Sequence, residues 1–231
     1  MKKIGLVGGT GPVSTLQYYE ELTGRSHRAL GTGDVAPVAI DSVNCREVFR
    51  LSAAKDWEGL ARYFLEAVRH LAAAGADAAA FTGMTPHRVF PEVEKASPIP
   101  LVSMLSVMAE EAKRQGLSRV LILGSRTSMT ESFVREPLNR LGIETFAPDE
   151  KEQEEIQSVI ESEVEYGLCT PEKRDRLIGI AADAAKRAGA DAVVLANTDF
   201  PAYFRGAELP FRTLDPVALH IARLSAIACE S

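Results

Sequence analysis

Among 231 residues there are only three cysteines, one tryptophan and four histidines. Cys45, Cys169 and Cys229 are odd in number and far apart, which excludes a disulfide framework and a zinc site of familiar spacing. That usage fits a reducing cytoplasm. No apolar run approaches the roughly 20 residues of a membrane span. The apolar opening MKKIGLVGGTGP is broken by glycines and too short for a signal-sequence core, so it reads as a first β-strand. Lys/Arg runs are missing and the formal net charge is −6, which argues against nucleic acid and against anionic membrane surfaces as partners. With 46% hydrophobic and 25% charged residues, the composition is that of a compact protein. A small molecule is the partner these absences leave.

Short β-branched apolar runs alternate with longer segments of helical period, the pattern of βα units around buried parallel sheets. Strands are expected at Ile4–Val7, Pro37–Ile40, Asp77–Thr82, Arg119–Leu123, Ile143–Phe146 and Asp191–Ala196. Helices are expected at Trp57–Ala74, Ser103–Gln115, Lys151–Tyr166 and Lys173–Ala188. An internal echo stands out: AAGADAAAFTGMTPH at 73–87 resembles RAGADAVVLANTDFP at 187–201, and GLVGGT near the start has a counterpart in LILGSRTS. The fold class this implies is α/β, with two pseudo-symmetric Rossmann-like halves, each built on a parallel sheet. Residues 1–98 with 208–231 would form the first half and 99–207 the second, with Pro-containing Ser97–Pro100 at the boundary and Leu209–Asp215 as a possible returning strand. Ligands of open α/β sheets bind beyond the carboxyl ends of the strands. The expected pocket is therefore lined by the turns 8–15, 82–87, 124–130 and 197–201, at the interface of the halves.

The turn G-G-T-G-P-V-S-T at 8–15 does not fit G-x-G-x-x-G and lacks the lysine of a P-loop. Its N–H groups can hold a small anion such as a carboxylate, or the turn can be purely structural. His87 and His220 read as helix-terminal or core residues rather than catalytic ones. The acidic run Asp149 to Glu155 reads as a solvated first helical turn, with one carboxylate toward the pocket as the alternative. No motif supports a structural metal, PLP, NAD or ATP, so no cofactor is expected.

Together these residues resemble the aspartate/glutamate racemase family. The resemblance spans nearly the whole chain: GLVGGTGPVSTLQYY, SVN at 42–44, the AGAD repeats, LGSRTSM at 124–129, NTD at 197–199 and LDPVALH at 214–220. It implies cofactor-independent chemistry in which two cysteines exchange protons on opposite faces of an amino-acid α-carbon. The family's Cys-Thr-Asn-Thr turn falls on Thr82, Gly83, Met84 and Thr85, and its Cys-Thr-Glu turn on Asn197, Thr198 and Asp199. Both thiols are replaced. Threonine is a far weaker acid than a thiol, and an amide has no useful acid–base chemistry.

The resemblance assigns the catalytic positions to Thr82 and Asn197, and substrate contacts to Thr10, Ser42, Asn44, Thr85, Ser125, Ser128 and Thr198. Met84 stands where an asparagine would bond the ligand, and Arg46 is a candidate carboxylate partner. Glu155 falls where some relatives carry a lysine, a change that disfavours dicarboxylates and favours a cationic or neutral distal group. Cys45, if it lies in a strand, faces away from Asn44. The family habit implies a homodimer, and the apolar residues of 134–141 are either interface or core. Three functions follow: an isomerase, lyase or hydrolase with altered chemistry on an amino acid or small carboxylate; a racemase using Thr82; or a silent amino-acid-binding protein.

Overall fold

The computed structural model describes residues 1–31 and 33–230. The chain divides into two units, Met1–Met104 together with the stretch from Val217 onward, and Leu105–Pro216. In the first unit the strands β1 (Ile4–Gly8), β2 (Val38–Ser42), β3 (Ala78–Phe81) and β4 (Leu101–Val102) form a parallel sheet of order β2-β1-β3-β4. In the second, β5 (Arg119–Gly124), β6 (Glu144–Phe146), β7 (Ala192–Ala196) and β8 (Thr213–Leu214) form a parallel sheet of order β6-β5-β7-β8. The two sheets share one strand order, as the sequence echo implies.

Central strands β1, β3 and β7 are buried at every residue, because helices cover both faces of a parallel sheet. The helix Trp57–Ala73 shows how this works locally. Asp56 caps it by accepting the Gly59 N–H at 2.8 Å, and Leu60, Phe64, Ala67, Val68 and Leu71 recur on one face and bury against β1 and β3. In the second unit a capping box of Asp149 and Glu152 starts the helix Glu150–Ser162, with bonds of 3.0 and 2.9 Å. The acidic run thus opens a helix, as expected, where its charges face the positive end of the helix dipole.

Two joints differ from the expected boundaries. Leu101 and Val102 pair with Ala79 and Ala80, so β4 completes the first sheet and does not open the second. Thr213 and Leu214 pair with Val193 and Val194, so β8 completes the second sheet and does not return to the first. At the first joint, backbone pairing with a buried strand outweighs the proline signal of Ser97–Pro100. The helix Pro216–Cys229 then rejoins the first unit. Val134 and Leu138 are fully buried inside the second unit, which makes them core residues. Among the described residues, no helix is long and apolar enough to cross a membrane.

Candidate functional site

Within the first unit, the ends of β1, β2 and β3 bring three turns together. Gly8 and Ser42 are register partners, and Gly9 follows with φ +90. A Cβ at Gly9 would lie 2.2 Å from the Val43 carbonyl oxygen, so only glycine lets these two backbones pass. Thr15, in the first turn of the helix Pro12–Leu30, accepts the Gly9 N–H at 3.0 Å and donates to the Gly11 carbonyl at 2.9 Å. Thr82 is fully buried, with its hydroxyl 3.2 Å from Thr15 Oγ1 and 3.3 Å from the Val7 carbonyl oxygen. Its one proton goes to one of these acceptors, so Thr82 ties the end of β3 to β1 and has no base among these partners.

Thr10 leans on the same turn: a Cβ at Gly83 would lie 2.3 Å from its Oγ1, which is buried without a hydrogen-bond partner. Cys45 opens the helix Cys45–Ala53 instead of lying in a strand, and its thiol turns back to the Thr10 carbonyl at 3.3 Å. Asn44 caps that helix, its side-chain oxygen taken by the Arg46 N–H at 3.0 Å. Ser42, Asn44 and Arg46 are exposed; Thr85, half-buried, starts the 3-10 turn Thr85–Val89, and Met84 is buried just before it.

His87 and His220 are core residues, as the sequence suggested. His87 Nδ1–H donates to the Gly83 carbonyl at 3.0 Å while Nε2 accepts the Met104 N–H at 3.1 Å. His220 Nε2–H donates to the Val102 carbonyl at 3.0 Å, and Nδ1 accepts the Tyr18 hydroxyl at 2.8 Å. Each ring uses both nitrogens in its neutral form, and burial lowers their pKa values to about 4 and about 3. Through His87 the Gly83 turn is bolted to the start of the helix Met104–Arg114.

In the second unit, Ser125 follows β5 and caps the short helix Arg126–Thr130, with its hydroxyl 3.1 Å from that of buried Ser128. After β7, the Asn197 side-chain oxygen accepts the Asp199 N–H at 2.9 Å, closing a local turn. Thr198 is buried between them. Asp199 Oδ1 is buried without a hydrogen-bond partner, and desolvation, helped by the charge of Glu165, pushes its carboxyl up to about 6. Both oxygens of Glu155 are taken by Arg176, at 2.7 and 2.9 Å, in an ion pair between neighbouring helices, and that bond lowers its pKa.

Sequence reasoning passed over Thr15, Asp199 and Glu163. The first two lie inside quoted motifs, as the last residue of the Gly-rich turn and the partner of the family's Glu, so their signal was present. Glu163 had none. It is 4% exposed and receives the Thr170 N–H at 3.0 Å, the Thr170 hydroxyl at 2.5 Å, the Tyr203 hydroxyl at 3.0 Å and Lys173 at 3.0 Å. These bonds anchor the connection before the helix Pro171–Ala188 to the short helix Phe200–Tyr203 that follows Asp199, and hold the carboxyl down to about 2.

Two parallel four-stranded α/β units of identical order, with polar turns at the strand ends, define a two-domain fold seen in racemase structures. A Yersinia pestis protein assigned to the Asp/Glu racemases is 26% identical over 100% of both chains, with a TM-score of 0.91. An aspartate racemase homologue from Pyrococcus horikoshii is 31% identical over 100% of both chains, with a TM-score of 0.86. The aspartate racemase of Picrophilus torridus shares the fold at 22% identity and a TM-score of 0.76, covering 99% of this chain and 94% of that one. The model of the Asp/Glu/Hydantoin racemase family matches residues 7–224. The chain belongs to that family.

Proposed function

We propose that this chain is a cofactor-independent enzyme acting on an amino acid or a related small carboxylate, by isomerase, lyase or hydrolase chemistry other than two-thiol racemisation. One observation carries the reading: of the two positions where the family resemblance puts thiols, one holds a hydroxyl bonded to Val7 and Thr15, and the other an amide whose oxygen closes its own turn. Thr82 and Asn197 then shape and orient rather than carry protons. In the first unit Thr10, Ser42 and Thr85, with the N–H groups after Gly9, and in the second unit Ser125, Ser128 and Thr198, carry donors and acceptors of the kind that suit a carboxylate or an amine. The Arg176 bond leaves Glu155 no part in selecting the distal group. The family resemblance further supports a cytoplasmic homodimer, which light scattering tests.

A thermal-shift screen against L- and D-amino acids, dicarboxylates and keto acids is the direct test, because a ligand of the folded state raises its stability. We expect stabilisation by at least one small carboxylate. Inversion of an amino acid by the unmodified protein at rates matched to thiol enzymes would overturn the altered-chemistry part.

A further inference from the structure

We propose that Asp199 is the acid–base group of the second unit, exchanging a proton with the α-carbon of a bound carboxylic acid. This rests on the functional reading above and adds the residue that reading lacks. Asp199 stands in the turn after β7, beside Asn197 and Thr198. Its backbone is held on both sides: its N–H bonds Asn197 Oδ1 at 2.9 Å, and its carbonyl accepts the Tyr203 N–H at 3.0 Å. Its Oδ1, by contrast, is buried without a partner. Removing a carboxylate oxygen from water with no donor in return costs stability, and such a group is a reservoir for function.

The charged groups around it agree. Glu165, from the 3-10 turn Val164–Tyr166, adds a like charge. Glu163, in the same connection, is offset by Lys173 at 3.0 Å, and Tyr203 gives its hydroxyl to Glu163. Asp199 is thereby left as a carboxylate that takes and returns a proton near neutrality, the range in which a general base works best.

In the step, the Asp199 carboxylate takes the α-hydrogen as a proton; the C–H electron pair moves into the substrate carboxyl as an enediolate. The same carboxyl returns a proton to the same carbon, after exchange with water. The Asp199 carboxyl is the one proton carrier of the step. The outcome is isotope exchange with retention of configuration.

The test is incubation in deuterium oxide with the amino acids and small carboxylates that raise the Tm, reading the α-proton by NMR and the configuration by chiral chromatography. We expect the α-proton signal to vanish with configuration retained, at a rate rising with pH through about 6. Asp199→Asn is expected to bind the same ligand with a similar thermal shift yet exchange roughly 100-fold more slowly. Asp199→Glu is expected to keep part of the rate and serves if the Asn variant does not fold. Unchanged exchange in the folded Asn variant, inversion, a flat pH profile, or a ligand that binds wild type without exchange would each overturn the proposal alone. If no carboxylate binds at all, the parent reading falls and takes this one with it.

Discussion

Thr82 and Thr15 meet hydroxyl to hydroxyl at 3.2 Å inside the first unit. Replacing Thr82 by valine keeps its shape, and the Val7 carbonyl keeps the Thr82 N–H at 3.1 Å. Thr82→Val is expected to cost about 1 kcal/mol in guanidinium unfolding, the value of one buried hydrogen bond. Turnover of whatever substrate is found should fall by less than about tenfold; a loss of about a thousandfold would restore a catalytic role to this hydroxyl.

Placing thiols at the two positions tests the site that the family resemblance implies. Thr82→Cys combined with Asn197→Cys is expected to produce measurable racemisation of an amino acid that binds the parent protein, because a thiol near neutrality supplies both the base and the acid. Polarimetry reads it. A well-folded double variant with no activity on any bound amino acid would count against an amino-acid substrate.

Acid stability follows from the two buried histidines. Their folded pKa values, about 4 for His87 and about 3 for His220, lie below the ordinary value of 6.5. The unfolded chain therefore binds more protons, and stability falls as pH drops through 6.5 toward 4 and 3, by on the order of 3 kcal/mol for each group. Asp199 acts in the opposite sense: raised to about 6, it favours the folded state below its ordinary value of 3.8, a contribution lost as pH rises through about 6. Denaturant midpoints measured across this range should fall toward acid, and His87→Gln should flatten the slope.

Glu155 and Arg176 form an exposed pair joining two helices at 2.7 and 2.9 Å. Glu155→Gln is expected to leave both the Tm and the ranking of ligands in the thermal-shift screen unchanged, since exposed pairs contribute little. A switch toward dicarboxylates in the variant would return Glu155 to the binding site.

Much of this architecture is readable from residue order, and the repeat explains why. Asp77 accepts the Lys3 N–H at 2.6 Å and Asp191 accepts the Ser118 and Arg119 N–H groups at 2.8 and 2.9 Å, so each AGAD motif caps the neighbouring strand of its own sheet. The six expected strands and four expected helices are all present, with ends shifted by a few residues. The helix Pro12–Leu30 went unlisted because its polar and glycine residues blur the apolar period, and β4 is only two residues long. Site detail was less legible. The Arg176 partner of Glu155 and the Tyr203 partner of Glu163 come from later elements, and Cys45 changes its direction because Asn44 starts a helix there; one capping bond decides it.

The first unit is made of two stretches of chain, and its last piece is the helix Pro216–Cys229, which carries His220 to Tyr18 and Val102 and gives the Ala228 carbonyl to the Lys2 N–H at 3.0 Å. On the ribosome, therefore, the half that is synthesised first is finished last. Leu105–Pro216 is continuous and closes its sheet as soon as β8 emerges, whereas the earlier half lacks His220 until the helix Pro216–Cys229 is made. Loss of the helix Pro216–Cys229 would spare the later half and strand the earlier one, which makes this one helix a checkpoint for strands made long before it.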